Sequence, residues 1–381
     1  MTAAPPAASL ARFREEFPIF ATTRYLNTCS LGALSSRTRL AHAEYLEQWE
    51  HRGAAAWYDI WLPAVERLRE GYARVIGAAA QDVSLQPSIS SALSVVGESL
   101  DYTRRPRVVT TSLDFPTVPY QWQAKADRGV EVVIVPSPDH TTIPLELLAA
   151  AIDERTALVA TSHVFFTSGA IQDLQALVAL TRSHGALLLV DGYQATGQLP
   201  VDVEGLGVDF YCAGGLKWLL GGSGIAFLYV RRELQGHLAP GITGWFAHAT
   251  PFRFDPQLVR ATDGHRFDLG TPSVAAVYAQ LAGLTYIEEI GTVALRRATA
   301  GLTEDLVEAA RERGLRPKVA SRAEERSGIV MLPRHDPHAD VHRLAEAGFI
   351  VDARPGHLRV SPYFYNVPDD HRLLLERLSR E

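Results

Sequence analysis

Between Arg107 and Val230 the chain reads as six short, continuously apolar runs separated by amphipathic or turn-rich stretches. They are Arg107–Thr111, Val132–Pro136, Ala157–Ser162, Ala186–Asp191, Val208–Cys212 and Ile225–Val230. Runs without polar alternation fit strands buried on both faces. Helical periodicity fills some of the gaps, at Leu145–Asp153 and Leu174–Gly185. Strands alternating with helices predict a mainly parallel sheet covered by helices on both sides. The run Ile225–Val230 follows a glycine-rich turn with too little chain for a crossover, so it is expected to run antiparallel. Two long helical patterns follow, Val274–Ile290 and Val293–Gly314. Short β candidates come next, at Ser327–Leu332, Phe349–Asp352 and His357–Ser361. The expected organisation is a flexible lead over 1–20, a large α/β domain over 21–270 and a smaller α/β domain over 271–381.

Composition narrows the function classes. The 381 residues are 47% hydrophobic and 21% charged, with a formal net charge of −6. That is ordinary for a globular enzyme. No basic stripe points to nucleic acid, and no apolar stretch approaches the roughly 20 residues needed to span a bilayer. The Ala/Pro-rich N-terminus lacks the apolar core of a secretion signal. Cys29 and Cys212 are the two cysteines. So few, so far apart, make no disulfide framework, and a cytoplasmic location is expected.

One apolar run ends in Asp191, and Lys217 sits among glycines after the next. An acid at the end of a buried strand and a lysine on a nearby turn are what pyridoxal 5'-phosphate chemistry requires. The carboxylate pairs with a protonated pyridine nitrogen, and the amine bonds the cofactor aldehyde and later moves protons at the substrate α-carbon. Ser88-Ile89-Ser90-Ser91 precedes another apolar run and reads as a helix N-terminus able to cradle a phosphate.

Seven segments, in order, carry a family resemblance. YLNTCSLGAL (Tyr25–Leu34) is similar to an opening segment that usually ends in NSLG. LDFPT (Leu113–Thr117) resembles DNFPT, and SHVFFTSGAIQDL (Ser162–Leu174) resembles SHVNYRTG followed by HDM. GLKWLLGGSGIAFLYV (Gly215–Val230) resembles TYKYLNGGPG and its strand. GWFAH (Gly244–His248), LGTP (Leu269–Pro272) and HLRVSPYFYN (His357–Asn366) also have counterparts. Together they resemble the class V branch of fold-type I pyridoxal phosphate enzymes, kynureninase most of all and cysteine desulfurase more distantly.

The resemblance implies an α/β fold-type I architecture with a seven-stranded-type sheet and a homodimer with shared active sites. It implies that Lys217 is the cofactor-bonding lysine, that Asp191 holds the pyridinium and that Gln194 bonds the phenolic oxygen. Phe115 is expected to stack on the ring. Ser90 and Ser91 are expected at the phosphate, with Trp245 and Thr271 reaching it from the partner subunit. Arg359 is expected to grip the substrate α-carboxylate, with Arg354 a second candidate and Cys29 and Ser30 nearby. No metal site is expected.

The chain departs from the pattern at four places. Leu216 and Gly215 stand where the family has side chains able to bond phosphate. Phe165 replaces an asparagine, which is expected to make that side of the pocket more apolar. Cys29 replaces the NSLG asparagine. No cysteine follows Cys212, so the persulfide chemistry of cysteine desulfurase has no thiol in the C-terminal region.

The expected activity is that of a lyase or hydrolase on an L-α-amino acid, with a side-chain bond broken after α-proton removal. Hydrolysis of a kynurenine-like substrate and β-elimination from an S-substituted cysteine both stay open. An aminotransferase, epimerase or decarboxylating deaminase on the same scaffold is the alternative.

Overall fold

The structure is a computed structural model that describes residues 10–378. Seven strands form the central sheet: β2 (Val83–Gln86), β3 (Arg107–Thr111), β4 (Glu131–Val135), β5 (Thr156–Ser162), β6 (Leu187–Asp191), β7 (Phe210–Gly214) and β8 (Ala226–Val230), in the order β2-β8-β7-β6-β5-β3-β4. The five strands from β4 to β7 run parallel, while β8 is antiparallel to both β7 and β2. Thus the short connection after Lys217 does reverse the chain. The residues of β7 and β8 are buried throughout, as continuous apolar runs require. β2 has no such signature: it reads Val-Ser-Leu-Gln, and the polar Ser84 and Gln86 are buried. The Ser84 hydroxyl and the Leu85 N–H both donate to Asp268, at 2.7 and 3.0 Å.

Register decides where the site lies. Asp191 pairs with Cys212, Gly214 with Ala226, and Ala226 with Gln86. The C-terminal ends of β6, β7 and β2 therefore share one edge of the sheet. The helix Ile89–Gly97 begins just after β2, so its N-terminus opens on the edge that carries Asp191 and Lys217. Ligands in such sheets gather at the carboxyl ends of the strands.

The smaller C-terminal sheet comprises β9 (Val330–Pro333), β11 (Asp352–Arg354) and β12 (His357–Val360), antiparallel in the order β11-β12-β9. It packs with the helices Thr292–Glu312, Pro337–Glu346 and Pro368–Leu378 around Leu306, Leu332, Leu344, Leu358 and Leu374. Three elements depart from the expected organisation. The lead does not extend through residue 20. Residues 1–9 lie outside the described residues, but Phe13 and Phe17 are buried against Tyr286 and Phe364. Strand β1 (Arg24–Tyr25) also pairs with β10 (Phe349–Ile350), so a segment expected in the large domain completes the smaller one. The helix Val274–Ile290, expected to open the smaller domain, packs on the helices Ser36–Arg52 and Leu62–Ile76 instead. No helix of the described residues is long and apolar enough to cross a membrane.

Candidate active site

Asp191 ends β6, and Lys217 lies on the turn after β7. Both line a cavity of about 170 Å3 with Phe115, Ser162, Val164, Phe166, Tyr193, Gln194 and Leu216. Among the described residues the Asp191 carboxylate accepts one hydrogen bond, from the Tyr193 N–H at 2.9 Å. Burial pushes its carboxyl up to about 6, the Tyr193 bond and Lys217 opposing. An under-bonded, buried carboxylate facing a cavity fits a cationic ring nitrogen.

Lys217 makes no ion pair among the described residues. Its Nζ lies 4.3 Å from the Tyr193 ring centroid and 6.0 Å from that of Phe115. Burial pushes the amine down to about 8, and Arg359 and Arg354 act in the same direction against Cys29 and Asp191. The turn is held from outside. Gly32 N–H donates to the Leu216 carbonyl at 2.9 Å, and a Cβ on Gly32 would sit 2.4 Å from the Lys217 carbonyl oxygen. Only glycine allows that approach.

Phe115 is 46% exposed and meets Phe166 edge-on at 5.1 Å, which leaves its ring open toward the cavity mouth. Its loop is tied down by the neighbouring Asp114. That buried carboxylate accepts from Thr110, Thr111, Thr161 and the Ser162 N–H, and so joins the ends of β3 and β5. Gln194 lines the cavity, its carbonyl accepting from Trp218 at 2.8 Å and its amide donating to the Cys29 carbonyl at 3.0 Å. An amide nitrogen has a second N–H to offer.

The expectation for Phe165 is corrected. Its side chain is buried with Leu113, Ala170 and Ala320 and does not line the cavity, whereas Val164 and Phe166 do. The chain turns at Phe165, whose carbonyl accepts from the Gly169 N–H, so the apolar wall belongs to its neighbours. Cys29 is buried but absent from the cavity lining, and its N–H donates to Ser361. Cys212 is buried on β7, its thiol pushed well above its ordinary value by burial.

The phosphate candidates are less concentrated. Ser88 and Ser91 form a reciprocal cap, and the Ser91 hydroxyl turns back to donate to the Ser88 carbonyl at 2.7 Å. The Ser91 N–H is taken by Ser88 Oγ, which leaves the Ile89 and Ser90 N–H groups at that end for a ligand. Ser90 is exposed at the same end. Thr271 borders a separate cavity with Gln86, Pro87 and Ser273. Trp245 is 39% exposed in an aromatic cluster with Phe246, Phe252 and Phe254. Within one chain neither Trp245 nor Thr271 lines the Lys217 cavity.

Arg359 is 2% exposed on β12. Its Nη1 donates to the carbonyl of the cavity residue Phe166 at 3.2 Å, and its Nη2 donates to Ser30 Oγ and Asp352 Oδ2, each at 2.6 Å. Its Nε is buried with no partner among the described residues. Arg354 pairs with the same Asp352 oxygen at 2.8 Å. Burial works to raise the Asp352 carboxyl, but the Ser30 hydroxyl and the two guanidiniums hold it below its ordinary value. Asp352 is thus a site residue that the sequence reading passed over. The signal was the segment Asp352–Arg359 itself: taken as a hairpin turning on Pro355-Gly356, it places Asp352 opposite Arg359.

The buried acid, the unpaired lysine amine and the flanking aromatic rings fit pyridoxal phosphate. Comparisons with known proteins point the same way. The profile of the family described as aminotransferase class-V matches residues 40–369. A Bacillus subtilis protein named uncharacterized aminotransferase YcbU is 33% identical over 371 residues, 97% of each chain. Kynureninase of Pseudomonas fluorescens is 31% identical over 318 residues, 80% of this chain and 74% of that one. A cysteine desulfurase from Thermococcus onnurineus superposes with a TM-score of 0.88 at 22% identity, covering 100% of this chain and 98% of that one. The cystine C-S lyase C-DES, solved with its product cysteine persulfide, gives 0.89 at 23% identity over 95% and 99%. At such identities these two structures speak to the fold alone, which is fold-type I.

Proposed function

This chain belongs to the aminotransferase class-V family, and on that premise we propose that it breaks a side-chain bond of an L-α-amino acid after Lys217 removes the α-proton. The cofactor is pyridoxal phosphate: bound here, it supplies an aldehyde carbon that accepts an amine and a ring that takes up the electron pair left at the α-carbon. The observation behind the reading is the unpaired, weakly basic amine of Lys217 sharing a small cavity with the under-bonded carboxylate of Asp191. An amine with its value near 8 can both give and take a proton near neutral pH. Asp191 keeps the ring nitrogen protonated. Phe115 and Phe166 shield the reacting carbon from water, and Leu216 adds to the apolar wall. Arg359 holds the α-carboxylate and so orients the α-hydrogen toward Lys217. A kynurenine-like substrate cleaved by hydrolysis and an S-substituted cysteine losing its thiol use these same groups. The name of the B. subtilis relative favours transamination as the second reading.

A screen of amino acids against the cofactor-loaded enzyme, with products identified by mass spectrometry, tests the reading. Release of a side-chain fragment is expected. Stoichiometric transfer of the amino group to a keto acid, with the carbon skeleton intact, would replace it with the transaminase reading.

Arg359→Ala is expected to lower kcat/KM by about 2–5 kcal/mol, since the buried carboxylate loses its partner. Arg359→Lys should not fully restore it, because a point charge does not replace a planar fork. The measurement is steady-state kinetics with an amino acid and with its amide; equal losses on both would move the carboxylate elsewhere.

We further propose a homodimer in which Trp245 and Thr271 complete the phosphate site of the partner subunit. Their separation from the Lys217 cavity within one chain supports this. Mixing Lys217→Ala subunits with Trp245→Ala/Thr271→Ala subunits should restore activity, because one hybrid site has neither defect. Heterodimers that stay inactive would contradict it.

A further inference from the structure

Two arginines and one aspartate meet behind the cavity residue Phe166, whose carbonyl accepts from Arg359, and their charges do not cancel. Asp352 Oδ2 accepts from Ser30 Oγ at 2.8 Å, from Arg359 Nη2 at 2.6 Å and from Arg354 Nη1 at 2.8 Å, while Oδ1 accepts from the Ala353 N–H at 2.8 Å. Ser30 Oγ, Asp352 Oδ2 and Arg359 Nη2 are mutually within hydrogen-bond distance, so serine and aspartate share one corner of the Arg359 guanidinium. The rest of the guanidinium is under-bonded. The buried Nε has no partner among the described residues, and Nη1 has the Phe166 carbonyl alone. A guanidinium at 2% exposure with an idle N–H is costly unless a ligand completes it. Arg354 is a different case: Asp352 and the Ala353 carbonyl hold its Nη1, and its side chain is part-exposed. The walls continue the pattern. Phe115, Val164, Phe166 and Leu216 are apolar, and Lys217 is the one basic side chain lining the cavity.

We propose that Asp352 determines the substrate class: by occupying Arg354 and one corner of Arg359 it leaves the cluster with charge for a single carboxylate, so the site takes amino acids whose only acidic group is the α-carboxylate. This rests on the reading that Arg359 receives the α-carboxylate. Asp352 acts through the arginines and touches no reacting atom. Neutralising it leaves Arg354 with no carboxylate partner, and a second acidic group then has a guanidinium to meet.

The test uses the cofactor-loaded enzyme and two anions without an amino group, succinamate with one carboxylate and succinate with two, titrated by calorimetry. The parent should favour succinamate. Asp352→Asn should move the ratio of the two dissociation constants toward succinate by about tenfold or more, the size of one charge-assisted hydrogen bond. Asp352→Asn/Arg354→Gln should return the ratio to that of the parent. A merely structural role for Asp352 would weaken both anions together and leave the ratio unmoved. Three results overturn the proposal: a parent that favours succinate, a ratio unchanged in Asp352→Asn, or neither anion binding. The functional reading fails separately, if the anion preference holds but no amino acid alters the absorbance of the bound cofactor.

Discussion

Lys217→Ala is expected to abolish turnover and the visible absorbance of lysine-bound cofactor while the fold survives. Its amine is the one basic group lining the Asp191 cavity, so no neighbour replaces it. Lys217 forms no ion pair among the described residues, and burial already disfavours its charge. Removing it therefore breaks no salt bridge, and the cofactor-free variant should melt no lower than the parent at neutral pH. The sign with pH is definite. Because the folded value, about 8, lies below the ordinary 10.5, the parent gains stability relative to the variant as pH rises from about 8 toward 10.5. Spectroscopy, product assays and thermal melts check all three statements. A variant with normal absorbance and full activity would refute the assignment of Lys217.

Asp191→Asn is expected to lower kcat at least about a hundredfold, ~3 kcal/mol, with a much smaller loss of cofactor occupancy. An amide cannot hold the ring nitrogen protonated, whereas the anchoring contacts elsewhere persist. Stability should move the other way. In the cofactor-free protein the Asp191 carboxyl is raised from 3.8 to about 6, so its ionised form is penalised above that pH. That penalty is absent below about 3.8, where the carboxyl is protonated in both folded and unfolded chains, and complete above about 6. The cofactor-free asparagine variant should exceed the parent in stability at pH 7, by about 3 kcal/mol at most, and lose that advantage by pH 4. Asparagine can still accept the Tyr193 N–H. Denaturant unfolding at the two pH values measures the difference, and an unchanged kcat would make Asp191 a structural residue.

These expectations start from groups that local sequence made visible. The strands β3 to β8 were legible because each is a continuous apolar run, which the inner strands β5 to β8 need because they are buried. Asp191 and Lys217 stood out as polar residues at the ends of such runs. The antiparallel turn at β8 followed from loop length alone. Other features depended on partners far along the chain. β2 hides its polar side chains by bonding Ser84 to Asp268 and Gln86 to the Phe267 carbonyl, more than 180 residues away, so its local pattern does not read as a strand. Phe13 and Phe17 look like part of an Ala/Pro-rich flexible lead until Tyr286 and Phe364 cover them. Whether Phe165 or Phe166 faced the cavity turned on the tight turn at Phe165–Gly169, which local hydrophobicity does not record. Asp352 is the clearest case. Its charge was visible, but its role arises from strand pairing with Arg359 and from Ser30, 322 residues distant. Hydrophobic periodicity records which surface of an element is buried, whereas the pairing of charges inside a site is decided only when distant elements meet.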